Sequence, residues 1–265
     1  MSWWGKVIGG TFGFVMGGPL GAVLGAAVGN YFDSGMDRIT ANDVLLGPAD
    51  PQSNERVQTA FFTAVFSLMG YIAKADGKVS RDEISLAEQI MGQMQLQPAQ
   101  KKLAVSLFEQ GKQPAFPFAQ VLEQFRQECH RRRNLIQMFL EILTATALAD
   151  GEMDVAERRV LESIAGSLGF AKADYDRLVL RMSAQYRFNT NETPARKLSD
   201  AYKVLGLTAD AETAEVKKAY RKLMSQHHPD KLVSKGLPEE MMAMATKKTQ
   251  EIKTAYETIM TNRGE

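Results

Sequence analysis

The chain has 265 residues, 45% hydrophobic and 24% charged, and its 32 basic residues against 31 acidic ones leave a formal net charge of +1. So nearly neutral a chain does not attract nucleic acid through its overall field. A single cysteine, Cys129, excludes an internal disulfide, and together with only three histidines it does not build a zinc site.

The amino terminus is apolar. Val7 to Asn30 contains no charged residue, which is long enough to cross a bilayer as a helix. Gly5, Gly9, Gly13, Gly17, Gly21, Gly25 and Gly29 recur at every fourth position. On a helix this repeat makes a nearly bare stripe of the kind that lets two membrane helices approach closely. Gly13, Gly17 and Gly21, at its centre, are the expected contacts of a homodimer. Trp3, Trp4, Tyr31 and Phe32 bracket the run as interfacial aromatics. Two other readings compete: a cleaved signal peptide ending near Gly25-Ala26-Ala27, and a membrane-buried hairpin turning at Gly17-Gly18-Pro19. The apolar run is longer than a signal peptide's, and its basic leader is only Lys6 and the terminus. One retained span within an anchor at 1–34 is therefore the expectation. Charge does not orient it, since Lys6 stands on one side and Arg38, with Asp33 and Asp37, on the other.

Residues 50–188 form a helical domain with an internal duplication. AKADGKVSRDE (73–83) and ALADGEMDVAE (147–157) share Ala-Asp-Gly followed by a glutamate, and Asp76 and Asp150 stand 74 residues apart. Phe62, Phe66 and Met69 before the first copy match Ile136, Leu140 and Leu143 before the second. Two related halves, not a solenoid, follow from one repeat at that offset. This pattern resembles the all-α TerB-like fold. The Asp-Gly segments also match the second half of a calcium-binding EF-hand loop, but its first ligand positions hold Ile72 and Lys74 in one copy and Thr146 and Leu148 in the other. Capping explains the same residues without a metal: Ser80-x-x-Glu83 and Asp154-x-x-Glu157 open the following helices, with Gly77 and Gly151 in the turns. No metal is expected, although facing acidic copies would offer a cation site. Arg131-Arg132-Arg133 reads as a solvated turn, or as a contact to anionic lipid in an anchored protein. Polar residues 189–198, with Pro194, read as a linker.

Residues 199–265 carry the most specific pattern. Ala211 to His227 reads as a helix with Val216, Ala219, Tyr220, Leu223 and His227 on one stripe and Lys217, Lys218, Arg221 and Lys222 opposite. Pro229 stops it. A second amphipathic helix places Ile252, Ala255, Tyr256 and Ile259 on one face. The result is an apolar hairpin with a basic outer face and His228-Pro229-Asp230 at its tip. AYKVLGL (201–207), VKKAYRKLM (216–224), HHPDK (227–231) and QEIKTAYETI (250–259), in this order and spacing, resemble the J-domain of DnaJ-type co-chaperones.

The resemblance implies that the domain binds an Hsp70-class ATPase, DnaK in bacteria, and stimulates its ATP hydrolysis. Lys217, Lys218, Arg221 and Lys222 inherit the role of docking face, and His228, Pro229 and Asp230 that of the loop completing the contact. Such a basic row speeds encounter with an acidic partner and orients it more than it sets affinity. No aromatic residues alternate with the cations, so nucleic acid is not the expected partner. His227 continues the buried stripe and is expected to pack. As a whole the chain resembles the membrane-anchored J-domain co-chaperones of bacteria, which implies an inner-membrane location, cytoplasmic carboxy-terminal domains and a link to envelope-stress and capsule signalling. A sensor or scaffold is the competing function, with the TerB-like domain binding a cation or a signalling protein and the J-domain as output. No Walker motif, nucleophile elbow or metalloprotease signature occurs, so neither enzymatic activity nor a cofactor is expected.

Overall fold

A computed structural model describes residues 17–33, 53–75, 91–148 without 93 and 95, 153–190 and 193–265. The described residues are all-α, with no strand among them. In chain order the helices are α1 (Gly18–Asp33), α2 (Ser53–Ala73), α3 (Pro98–Gly111), α4 (Phe118–Glu128), α5 (Arg133–Ala147), α6 (Val155–Ser167) and α7 (Lys172–Thr190). They are followed by α8 (Pro194–Val204), α9 (Thr213–His227), α10 (Pro229–Val233), a 3-10 turn (Glu239–Met241) and α11 (Met242–Arg263).

Of the span expected from Val7 to Asn30, the residues before Gly17 lie outside the described residues, and α1 starts at Gly18. Gly17 and Gly18 have φ of +56° and +64°, in the left-handed region that suits glycine and ends a right-handed helix. Gln124 of α4 stabilises this helix start. Its Oε1 accepts from the Leu20 N–H at 2.8 Å, satisfying one of the unpaired donors of the first turn, while its Nε2 donates to the Gly17 carbonyl at 3.0 Å. At 16 residues α1 is about 24 Å long, short of the roughly 30 Å hydrocarbon core. Among the described residues no helix is long and apolar enough to cross a membrane. Leu20, Leu24 and Ala27 are buried, and the Ala27 carbonyl accepts from Ser106 Oγ at 3.0 Å. Gly13 lies outside the described residues. Gly21 is buried, whereas Gly17, Gly25 and Gly29 face open space.

The two duplicated halves meet through α2 and α5. Phe62, Phe66 and Met69 are buried, as are Ile136, Leu140 and Leu143, so the matched positions supply one common core. Phe61, Phe125 and Phe139 pack together at its centre, the last two stacked at 4.1 Å. Helices α2 and α3 cross in backbone contact: a Cβ on Gly70 would stand 2.0 Å from the Phe108 carbonyl oxygen, and one on Gly111 1.8 Å from that of Ser67. Only glycine at both positions permits this approach. Asp76, Gly77, Ser80, Glu83, Asp150 and Gly151 lie outside the described residues. The second capping box is described: Asp154 accepts from the Ala156 N–H at 2.6 Å and Glu157 from the Asp154 N–H at 3.1 Å. Among the described residues no group of three metal-ligating side chains converges.

The polar run read as a linker is helical at both ends, because α7 continues to Thr190 and α8 begins at Pro194. Helix α7 serves two cores. Its first half buries Tyr175, Leu178 and Val179 against the middle domain. Ala184 and Phe188 in its second half join Ala201, Val216, Leu223, Ile252, Ala255 and Ile259 in the core of the carboxy-terminal hairpin.

Candidate functional site

Glu212 opens α9, its carboxylate capping the first turn while Glu215 accepts from the Glu212 N–H at 2.9 Å. Val216 and Leu223 are buried against α11, and Tyr220 stacks on Tyr256 at 4.2 Å. This packing fixes the outer face: Lys217, Lys218, Arg221 and Lys222 are all exposed. Lys217 pairs with Glu265 at 2.9 Å, and Arg221 donates to the Lys217 carbonyl at 3.2 Å. Lys218 and Lys222 have no ion-pair partner among the described residues.

His228 leaves the helical conformation, with φ −59° and ψ 123°, as the residue before a proline is obliged to do. Pro229 then starts α10, where its missing N–H costs nothing. The tripeptide is thus the junction of two helices. His228 and Asp230 are exposed, and neither side chain has a partner among the described residues. All seven residues expected at the site lie on α9 and this junction.

Glu141 was not among the expected site residues. It sits on α5, 3% exposed, and receives four donors or cations. Arg181 Nη2 lies at 2.9 Å and Gln137 Nε2 at 3.0 Å from Oε1, His227 Nε2 at 3.0 Å from both oxygens, and Lys248 Nζ at 3.6 Å from Oε2. Burial pushes this carboxyl up, but His227, Lys248 and Arg181 together outweigh it and hold it well below the usual carboxylate range. Lys248 is lowered, by burial first, with Glu141 opposing; Gln185 Oε1 and Met182 Sδ complete its surroundings. His227 is buried as expected, with Nδ1 3.0 Å from the Leu223 carbonyl. It packs, but as a polar link to another domain rather than as an apolar filler.

The hairpin is therefore docked on the middle domain. Leu232, Leu237, Met241 and Ala245, in and after the connection that follows the tripeptide, join the middle-domain core. Arg132 donates to the Lys235 carbonyl at 2.6 Å, and Gln100 to Glu240 at 2.5 Å. The one signal in the sequence was a carboxylate inside the apolar run at 138–143.

An apolar hairpin with an exposed His-Pro-Asp junction beside a basic helix face defines a J-domain, here joined to a duplicated all-α domain. Three protein families match in register: Co-chaperone DjlA transmembrane domain at residues 1–39, Tellurite resistance protein TerB at 62–180 and DnaJ domain at 200–263. The chain is 44% identical to Co-chaperone protein DjlA of Shewanella oneidensis, covering 100% of this chain and 99% of the relative. It is 44% identical to that of Coxiella burnetii, covering 98% and 97%, and 43% identical to that of Vibrio cholerae, covering 100% and 99%. No solved structure matches. The chain belongs to the DjlA family of membrane-anchored J-domain co-chaperones.

Proposed function

We propose that this protein binds an Hsp70-class ATPase through Lys217, Lys218, Arg221, Lys222, His228, Pro229 and Asp230 and stimulates its ATP hydrolysis. The observation that carries this reading is the junction itself: two exposed side chains without partners, at a fixed helix boundary, next to two unpaired lysines. Docking on the middle domain leaves all of them accessible. The test adds the full chain, in detergent or nanodiscs, to DnaK and follows steady-state hydrolysis. A rise that saturates with the chain is expected; its absence would refute the assignment.

The carboxy-terminal domains face the cytoplasm in this reading, since Hsp70 and ATP are cytoplasmic in bacteria. Protease added to spheroplasts should then leave them intact, and cleavage without lysis would reverse the orientation. Self-association along the glycine stripe is the second element, supported by the four-residue spacing and by the open space at Gly17, Gly25 and Gly29; of the other expected contacts, Gly13 lies outside the described residues and Gly21 is buried within the chain. Gly25→Leu should weaken self-association in a membrane two-hybrid assay, because a branched side chain holds two backbones apart. An unchanged signal would assign the stripe another role.

A further inference from the structure

A cleft of about 510 Å³ separates the J-domain from the middle domain. Lys218 and Lys222 of α9 line one wall, Arg133 of α5 and Arg177 of α7 the other, and Phe170 and Leu223 are among its apolar lining. Arg181 also lines it, but its charge is engaged by Glu141 at 2.9 Å. Two carboxylates oppose the remaining four cations. Asp174 pairs with Arg177 at 2.5 Å and more distantly with Arg133 at 3.9 Å, and Glu215 is turned into the cap of α9. Arg133 and Arg177 keep side-chain exposures of 70% and 74%, so both guanidinium groups retain free donors toward solvent. Two basic walls thus face each other, held in place by the buried Glu141 cluster. Like charges gathered over partly apolar walls focus a positive potential that an acidic occupant relieves.

We propose that Arg133 and Arg177 form the second half of the docking surface for the acidic Hsp70-class partner, so that the middle domain binds it together with the J-domain. This rests on the co-chaperone reading above. Lys218 and Lys222 commit the cleft to that partner, because they belong both to the basic face of α9 and to the cleft. A body seated over them reaches the opposite wall. The docked arrangement thereby gives part of the Arg131-Arg132-Arg133 triplet a role that a solvated turn does not have, while Arg132 binds the J-domain backbone.

The experiment measures association of the full chain, in nanodiscs of neutral lipid, with ATP-bound DnaK at low and at physiological ionic strength. Arg133→Glu with Arg177→Glu should slow association about tenfold at low salt, and the difference should shrink as exposed charges are screened over about 8 Å. Lys101→Glu with Arg159→Glu, which changes charge equally at exposed positions outside the cleft lining, should have a much smaller effect. Should the double reversal perturb the fold, Arg133→Gln with Arg177→Gln supplies the same comparison at smaller amplitude, and Arg133→Lys with Arg177→Lys should keep the wild-type rate. A cleft variant no slower than the control would overturn the proposal while leaving wild-type stimulation, and hence the co-chaperone reading, intact. Slowing seen only with anionic nanodiscs would assign the arginines to lipid headgroups and also overturn it. A wild-type chain that neither binds nor stimulates would remove the underlying reading.

Discussion

Glu141→Ala is expected to destabilise the protein by about 3–5 kcal/mol, the cost of breaking a buried ion pair and leaving its partners uncompensated. The carboxylate is the only anion contacting His227 and Lys248 at this site among the described residues, and Arg181 shares it. Removing it would leave cations of both domains buried without a counter-charge, so docking of the J-domain should weaken together with global stability. Urea unfolding at neutral pH gives the energy, and hydrogen exchange at the Leu232 and Leu237 amides reads the docking. A loss below about 1 kcal/mol with unchanged exchange would mean that the apolar contacts alone hold the domains together. The pH dependence has a definite sign. The folded pKa of Glu141 is depressed, so its contribution is fully present above the unfolded value of about 4.3 and is lost as pH falls through the lower folded value. Acid should therefore undock the J-domain only below the ordinary carboxylate range, and Glu141→Ala should flatten that limb of the stability profile.

His228→Gln is expected to abolish stimulation of DnaK while leaving helicity and melting nearly unchanged. His228 is exposed, its side chain forms no hydrogen bond or ion pair among the described residues, and it belongs to neither core. His228 stands at the caps of α9 and α10 but its side chain makes no cap hydrogen bond, so its replacement should cost no more than about 0.5 kcal/mol, as at other exposed positions. His227, its neighbour, is 2% exposed and bound to Glu141, so His227→Gln should act mainly on stability. Adjacent histidines thus separate the two roles by different measurements. Full stimulation by a folded His228→Gln protein would remove this side chain from the Hsp70 contact.

Local pattern carried much of the architecture. Period-3.6 stripes located α9 and α11, the matched apolar triplets before the Asp-Gly segments located the cores of α2 and α5, and Asp154-x-x-Glu157 located the start of α6. The His-Pro-Asp tripeptide is legible for a related reason: its conformation follows from proline's effect on the residue before it, and its basic flank lies on the same helix. Each of these signals lies within a short stretch of chain, and the duplication is a comparison of two such stretches 74 residues apart, so spacing alone reports them.

Tertiary structure decided how the parts meet. Glu141, Arg181, His227 and Lys248 are separated by 21 to 107 positions, and only the packing of α5, α7, α9 and α11 brings one carboxylate among a histidine and two cations. The pairing of Arg133 and Arg177 with Lys218 and Lys222 across a cleft arises in the same way. The start of α1 at Gly17–Gly18 is held by Gln124, more than a hundred residues away, which satisfies a first-turn donor in a way that hydropathy does not report. A buried charge is tolerable only when its partners are supplied from elsewhere in the fold. Sequence could therefore announce the acidic residue in an apolar run, while the identity of its partners waited on three-dimensional contact.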